Sequence, residues 1–290
     1  MTVEILATSL ANGVMLGGLY ALVALGLTLI FGVMRIINFA HGSLMMLAMY
    51  ATFWLATRAG LDPYLALGVT VPGGFLVGWG LQRLAIAPVL GAPEHNQLLM
   101  TLGLALFLDN LALALFTADP RTLLTAYSAT TVALGPVRLN LPRLLAFAGA
   151  LGITAALAAF LKLTVLGRAL RAAAEERDGA ALVGIPVRRM YALAFGLGSA
   201  CVAAAGTLAV PFFYVSPEVG NTFVITAFVV VVLGGLGSFP GALLGGLAVG
   251  VVESLGGLFL HGSLAQIGIF LLFILVLLAR PTGLLGAAHA

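Results

Sequence analysis

Apolar residues dominate this chain in long blocks, and polar residues punctuate them. Blocks of spanning length run at 12–34, 39–57, 64–86, 96–117, 141–163, 190–213, 222–236, 240–257 and 264–280. Blocks of roughly 20 apolar residues match the bilayer's hydrocarbon thickness in a helix. Each block predicts a helix. The seventh and eighth are short and separated only by Gly-Leu-Gly-Ser-Phe-Pro. They read as a helical hairpin that does not fully cross. Two connections are long. In 118–140, β-branched residues around Gly135-Pro136 predict a small hairpin or a plain connector. In 164–189, residues 168–183 have helical composition, and Gly184 and Pro186 stop it.

Composition turns these helices into membrane helices. The chain is 62% hydrophobic and 8% charged, against about 25% charged in soluble domains. Mean hydropathy is +1.17. The expectation is an all-α polytopic membrane protein of about eight to ten transmembrane helices, with short loops and broken or hairpin helices. One transmembrane domain covers 1–290. The N-terminus carries no basic region ahead of its first apolar block, so no cleavable signal is expected.

Charge then orients the chain. The 164–189 loop holds Arg168, Arg171, Arg177, Arg188 and Arg189, with Lys162 at its edge. Basic loops stay in the cytoplasm. Alternation then puts Arg35, Arg83 and Arg280 inside, and Arg58, Arg121, Arg138 and Arg143 outside. The basic residues sit between apolar blocks, which argues against nucleic acid as a partner. Lys162 is flanked by leucines, so the chain has no P-loop for ATP. Metal and hydrolase motifs are absent, and His41, His95, His261 and His289 are far apart. Cys201 is the one cysteine.

Polar residues inside apolar blocks are the candidates for chemistry. The stretch Arg35 to Ser43 breaks a helix pair, and irregular backbone at membrane depth lines water or is buried in protein. Asn38 and His41 either shape a solute path or satisfy a tight turn. Asp109 lies inside a span, where a carboxylate is costly and marks a path or an interhelical bond. Glu253 is expected to reach the outer interface. Gly13 and Gly17, and Gly237, Gly241 and Gly245, recur at four-residue spacing, which lets helix backbones approach. Their partner helices lie within the chain or on another subunit. A weak internal echo links the break at 31–42 to the break at 234–241. In the 164–189 loop, Glu175, Glu176, Arg177 and Asp178 form a charged patch one turn beyond Arg171, and Leu170, Ala174, Ala181 and Leu182 an apolar side. Such a helix lies on a membrane, docks in a partner's groove or is a solvated loop.

The ordered motifs resemble a known family. They are Ala11-Asn12-Gly13-Val14, Gly18-Leu19-Tyr20-Ala21-Leu22, Ile37-Asn38-Phe39-Ala40-His41-Gly42, Leu233-Gly234-Gly235-Leu236-Gly237-Ser238-Phe239-Pro240-Gly241-Ala242 and Arg280-Pro281-Thr282-Gly283-Leu284-Leu285-Gly286. Together they look like the LivH-type permease subunit of branched-chain amino acid ABC importers. The resemblance implies a multi-pass protein of the bacterial inner membrane. It implies a second, LivM-like permease, two cytoplasmic ATPases that bind the ATP, and a periplasmic solute-binding protein. It implies no cofactor in this chain, and branched-chain amino acids, urea or short amides as solute. A cytoplasmic loop of Glu-Ala-Ala type docks on the ATPase in such importers. Ala173-Ala174-Glu175 through Gly184-Ile185-Pro186 stands at that place and matches loosely. Asp109 stands where the resemblance leads one to expect an uncharged amide.

Overall fold

The computed structural model describes residues 3–135, 137–259 and 265–286. Pro136, His261, His289 and the first residue of the ninth apolar block lie outside them. Every apolar block is helical. The helices are α1 (Val3–Met34), α2 (His41–Ala59), α3 (Leu67–Leu81), α4 (Glu94–Phe116), α5 (Leu141–Leu163), α6 (Val165–Glu175), α7 (Arg177–Leu182), α8 (Val187–Ala209), α9 (Val219–Gly234), α10 (Phe239–Phe259) and α11 (Ala265–Ala279). A π turn, Gln82–Ile86, extends α3. The chain is a multi-pass membrane protein. Among the described residues, α1, α4, α5, α8 and α10 are long and apolar enough to cross a bilayer, while α9 is shorter.

α1 is the axis of the bundle. It packs against α5, α8, α9 and α10, and from Gly17 to Ile30 every residue is buried. Its contact with α10 is backbone to backbone. A Cβ on Gly17 would stand 2.7 Å from Leu247 Cα, and one on Gly13 2.8 Å from Val251 Cα. Small residues let helices approach where lipid supplies no hydrophobic drive. At one end the pair is fastened by Ser254, whose hydroxyl donates to the Ser9 carbonyl at 2.7 Å. On the other side of α1, Gly198 of α8 meets the Gly26 carbonyl. A relay of hydroxyls joins α2, α8 and α3. Thr52 donates to Thr207 at 3.0 Å, and Thr207 donates to Thr70 at 2.7 Å.

Three expectations need correction. The span 168–183 is not one helix. Glu176 is extended (φ −147°, ψ 103°), and its carboxylate accepts from Asp178 N at 3.3 Å, which starts α7 afresh. The hairpin of short helices applies to α9 alone. α10 has 21 residues, about 31 Å of helix, which is enough to cross. Glu253 turns inward: it lies against the Tyr20 hydroxyl, and its Oε2 is buried.

The hairpin at 131–140 is present as β1 (Thr131–Leu134) and β2 (Val137–Asn140), antiparallel, with Gly135 at φ +62°. Asn140 then caps α5 by accepting from Arg143 N at 3.3 Å. The basic residues gather at two ends. Arg58 and Arg121 both stack on Trp54, at 4.3 and 4.9 Å from the ring centre. Arg83, Arg177, Arg188 and Arg189 share a cavity at the opposite end.

Candidate functional site

The site starts where α1 stops. Arg35 adopts a left-handed φ of +58°, and its N–H closes α1 on the Phe31 carbonyl at 2.8 Å. The chain then folds back along α1 in extended form, burying Ile36, Asn38 and Ala40. Asn38 Oδ1 accepts from Ala40 N at 3.1 Å. His41 Nε2 lies 3.0 Å from the Val23 carbonyl oxygen. Val23 is three turns above the end of α1, about 16 Å along its axis. α2 therefore begins near half the depth of a ~30 Å hydrocarbon layer. No side chain caps its start.

A second helix begins beside it. Gly42 of α2 and Gly220 of α9 meet carbonyl to α-carbon, closer than any side chain allows. No side chain caps α9 either. Backbone carbonyls take some of the first N–H groups, His41 N bonding Asn38 O at 3.3 Å and Asn221 N bonding Glu218 O at 3.1 Å, and the positive dipole ends of the two helices lie together. α4 completes the site. It rises past the break, with Thr101 donating to the Ile37 carbonyl at 3.0 Å. Higher up, the Ser43 hydroxyl reaches toward the Ala105 carbonyl at 3.5 Å. Asp109 comes next, and the side chains of Ser43 and Asn221 adjoin its carboxyl group. Asp109 Oδ1 is buried and accepts no hydrogen bond.

These elements form a groove. α4 and α9 both pack on α2, and the Asn221 side chain of α9 adjoins Asp109 of α4. Asn221, Thr222 and Ile225 line the exposed edge of α9. Below Asp109, Phe39 and Phe228 pair across the groove at 5.3 Å between ring centres. Below them, a cavity of about 520 Å³ opens among Phe31, Arg35, Ile37, Glu94, Gln97 and Phe228. The groove is thus polar at Asp109, aromatic at the phenylalanines and charged at its mouth.

The sequence candidates separate into groups here. Asp109 faces the groove. Asn38 and His41 are fully buried behind it and hold the break. Asn38 Nδ2 and His41 Nδ1 have no hydrogen-bond partner. Gly13 and Gly17 pack on α10; Gly241 meets Gly234, and Gly245 meets Val230 O, a Cβ there standing 2.9 Å away. Gly237 (φ +84°) lies next to Gly32, so the two breaks of the internal echo adjoin. Arg171 and Glu175 border a cavity with Arg35, Gly237 and Ser238. Glu175, Glu176 and Arg177 rim a cavity of about 370 Å³ together with Arg35, Glu94 and Gln97. Arg177 pairs with Asp178 at 3.3 Å, both exposed. Burial is a minor influence on Arg177, whose pKa the Asp178 hydrogen bond raises. Gly184 (φ +86°) ends the segment. Ser43, Asn221, Phe39 and Phe228 were missed by sequence reasoning, although the polar pair Asn221-Thr222 opens an apolar block. Among the described residues no group of three or more His, Cys, Asp or Glu is placed to hold a metal.

Comparison with known proteins supplies the family. Residues 9–278 match the family described as branched-chain amino acid transport system / permease component. The chain is 34% identical to the high-affinity branched-chain amino acid transport system permease protein LivH of Escherichia coli K12, over 95% of this chain and 94% of that one. It is 34% identical to BraD of Pseudomonas aeruginosa, a permease protein of the same description, over 96% and 94% of the two chains. A probable branched-chain amino acid transport permease protein LivH of Methanocaldococcus jannaschii is 29% identical over 96% and 91%. No solved structure matches. The chain belongs to the family of branched-chain amino acid transport permease components.

Proposed function

We propose that this chain is the transmembrane permease subunit of an ATP-driven importer for branched-chain or related hydrophobic amino acids, set in a bacterial inner membrane. A second permease subunit closes the open side of the α4–α9 groove, and the solute passes between the two by alternating access. A periplasmic solute-binding protein delivers the solute at the end that carries Arg58 and Arg121. Two cytoplasmic ATPase subunits bind ATP and dock on α6 and α7. No catalytic step falls to this chain.

One observation carries the reading: Arg35, Glu94 and Gln97 line both the groove's cavity and the cavity rimmed by Glu175, Glu176 and Arg177. A push on the α6–α7 elbow therefore reaches the mouth of the groove through shared side chains. The tip of α7 suits a docking contact, because Leu182 is 90% and Val183 77% exposed. Two adjacent apolar side chains so exposed at the tip are free to bury themselves against a partner. The relatives named above agree with this assignment of solute.

The test is capture of the tagged chain from its native membranes in mild detergent, with mass spectrometry of what comes with it. Recovery of a second permease and two ATPases is expected. A chain recovered alone, and active in solute uptake without ATP, would overturn the reading.

A further inference from the structure

We infer that Asp109, with Ser43 and Asn221, is a transit site for a protonated amine, and that it favours ammonium-bearing solutes over neutral amides. The inference rests on the permease reading above. It adds the chemical group that the pathway recognises.

A carboxylate inside a span is expensive unless something answers its charge. The side chains of Ser43 and Asn221 adjoin the Asp109 carboxyl group, both from the first turns of helices, α2 and α9. Helix N-termini favour negative charge, which offsets part of the cost of burial. No cation is paired with it: among the described residues the one side-chain ion pair joins Arg177 and Asp178. The buried Oδ1 has no hydrogen-bond donor at all. The site therefore holds an acidic group with no cation paired to it among the described residues.

An α-amino acid brings that positive group. Its ammonium has three donors, enough for Asp109 Oδ1, the Asn221 carbonyl and the Ser43 hydroxyl oxygen. Its apolar side chain meets Phe39, Phe228 and Ile225, the adjacent walls of the groove. A neutral amide gains a hydrogen bond there but no charge pairing, and charge-assisted hydrogen bonds are about twice as strong.

The test uses the complete transporter, this chain with its partner subunits and solute-binding protein, in proteoliposomes loaded with ATP. Leucine uptake and ATP hydrolysis are measured together. Asp109→Asn should lower leucine uptake about tenfold or more while hydrolysis stimulated by the loaded binding protein persists. Asp109→Glu should restore most of the uptake. Asn221→Ala, at an exposed position that places no demand on folding, should lower uptake several-fold. Parental uptake in Asn221→Ala or in Asp109→Asn overturns the inference, and the Asn221→Ala result decides it if the Asp109 variants fail to assemble. A parental transporter that imports no leucine at all sinks the permease reading instead.

Discussion

Thr207 of α8 donates its hydroxyl to Thr70 of α3 at 2.7 Å and receives that of Thr52 of α2 at 3.0 Å. Three helices thus share one buried chain of hydroxyls, which ends on the Ala66 carbonyl at 3.0 Å from Thr70. Thr207→Val keeps the shape and cuts the chain in the middle. Interhelical hydrogen bonds in membranes are worth about 0.6 kcal/mol on average and at most about 1.7. We expect Thr207→Val to destabilise the bundle by about 1 kcal/mol and Thr207→Ser by less. Thermal unfolding in detergent checks both; equal Tm values for the parent and the valine variant would refute it.

Glycine positions divide sharply by location. A Cβ on Gly250 would overlap the Gly17 backbone, whereas one on Gly152 of α5 meets nothing within 4 Å. Gly250→Leu should separate α1 from α10 and leave little folded protein. Gly152→Leu should express and unfold like the parent. Gel filtration in detergent of the two variants distinguishes them.

The α6–α7 segment makes a functional prediction. Leu182→Asp with Val183→Asp puts charge on the exposed tip without touching the bundle. Glu175→Ala with Arg177→Ala removes charge from the rim shared with the groove. Both pairs should uncouple ATP hydrolysis from uptake in proteoliposomes, with the chain itself folded. Unchanged coupling ratios would remove α7 from the docking surface.

The outer end makes a pH prediction. Tyr127 donates to Asp62 Oδ2 at 2.8 Å. Burial, then this bond, raises its pKa above the ordinary value, which is about 10. A group raised on folding stabilises fully below its unfolded pKa and loses that contribution as pH climbs through the folded one. The Tyr127 contribution is thus constant across neutral pH and lost only in strong alkali. Tyrosinate absorbance should show a late-titrating phenol that is gone in Tyr127→Phe. A difference spectrum centred near pH 10 would contradict the assignment.

Much of this architecture is legible in the residues. Apolar blocks bounded by Gly, Pro and charge become helices because lipid forces every backbone group to pair within its own segment. Gly135 marks the hairpin turn because its positive φ suits no branched residue. The elbow at Glu176 is not legible, since glutamate is a good helix former; the break comes from its side chain capping Asp178 N. The depth at which α2 starts is not legible either. Arg35 to Ser43 shows a polar break, but its folding back to Val23 depends on contacts across the bundle. Asp109 stands out by charge alone. Its neighbours Ser43 and Asn221 look ordinary, because they lie in distant segments that only folding joins.

The embrace of α1 by α10 has a consequence for how the protein is made. Gly17 and Gly250 are more than two hundred residues apart. At ribosomal speeds of about 5–20 residues per second, on the order of ten to fifty seconds separate their synthesis. Through that interval the face of α1 that carries Gly13 and Gly17 is without α10, its partner in the folded protein. Its own apolarity must hold α1 in the bilayer, and an 18-residue stretch of it has a mean hydropathy of 2.3, above the corresponding stretches of the other four helices long and apolar enough to cross, which suits the wait. Biogenesis thus ends where it began, when one of the last helices to emerge seals the first.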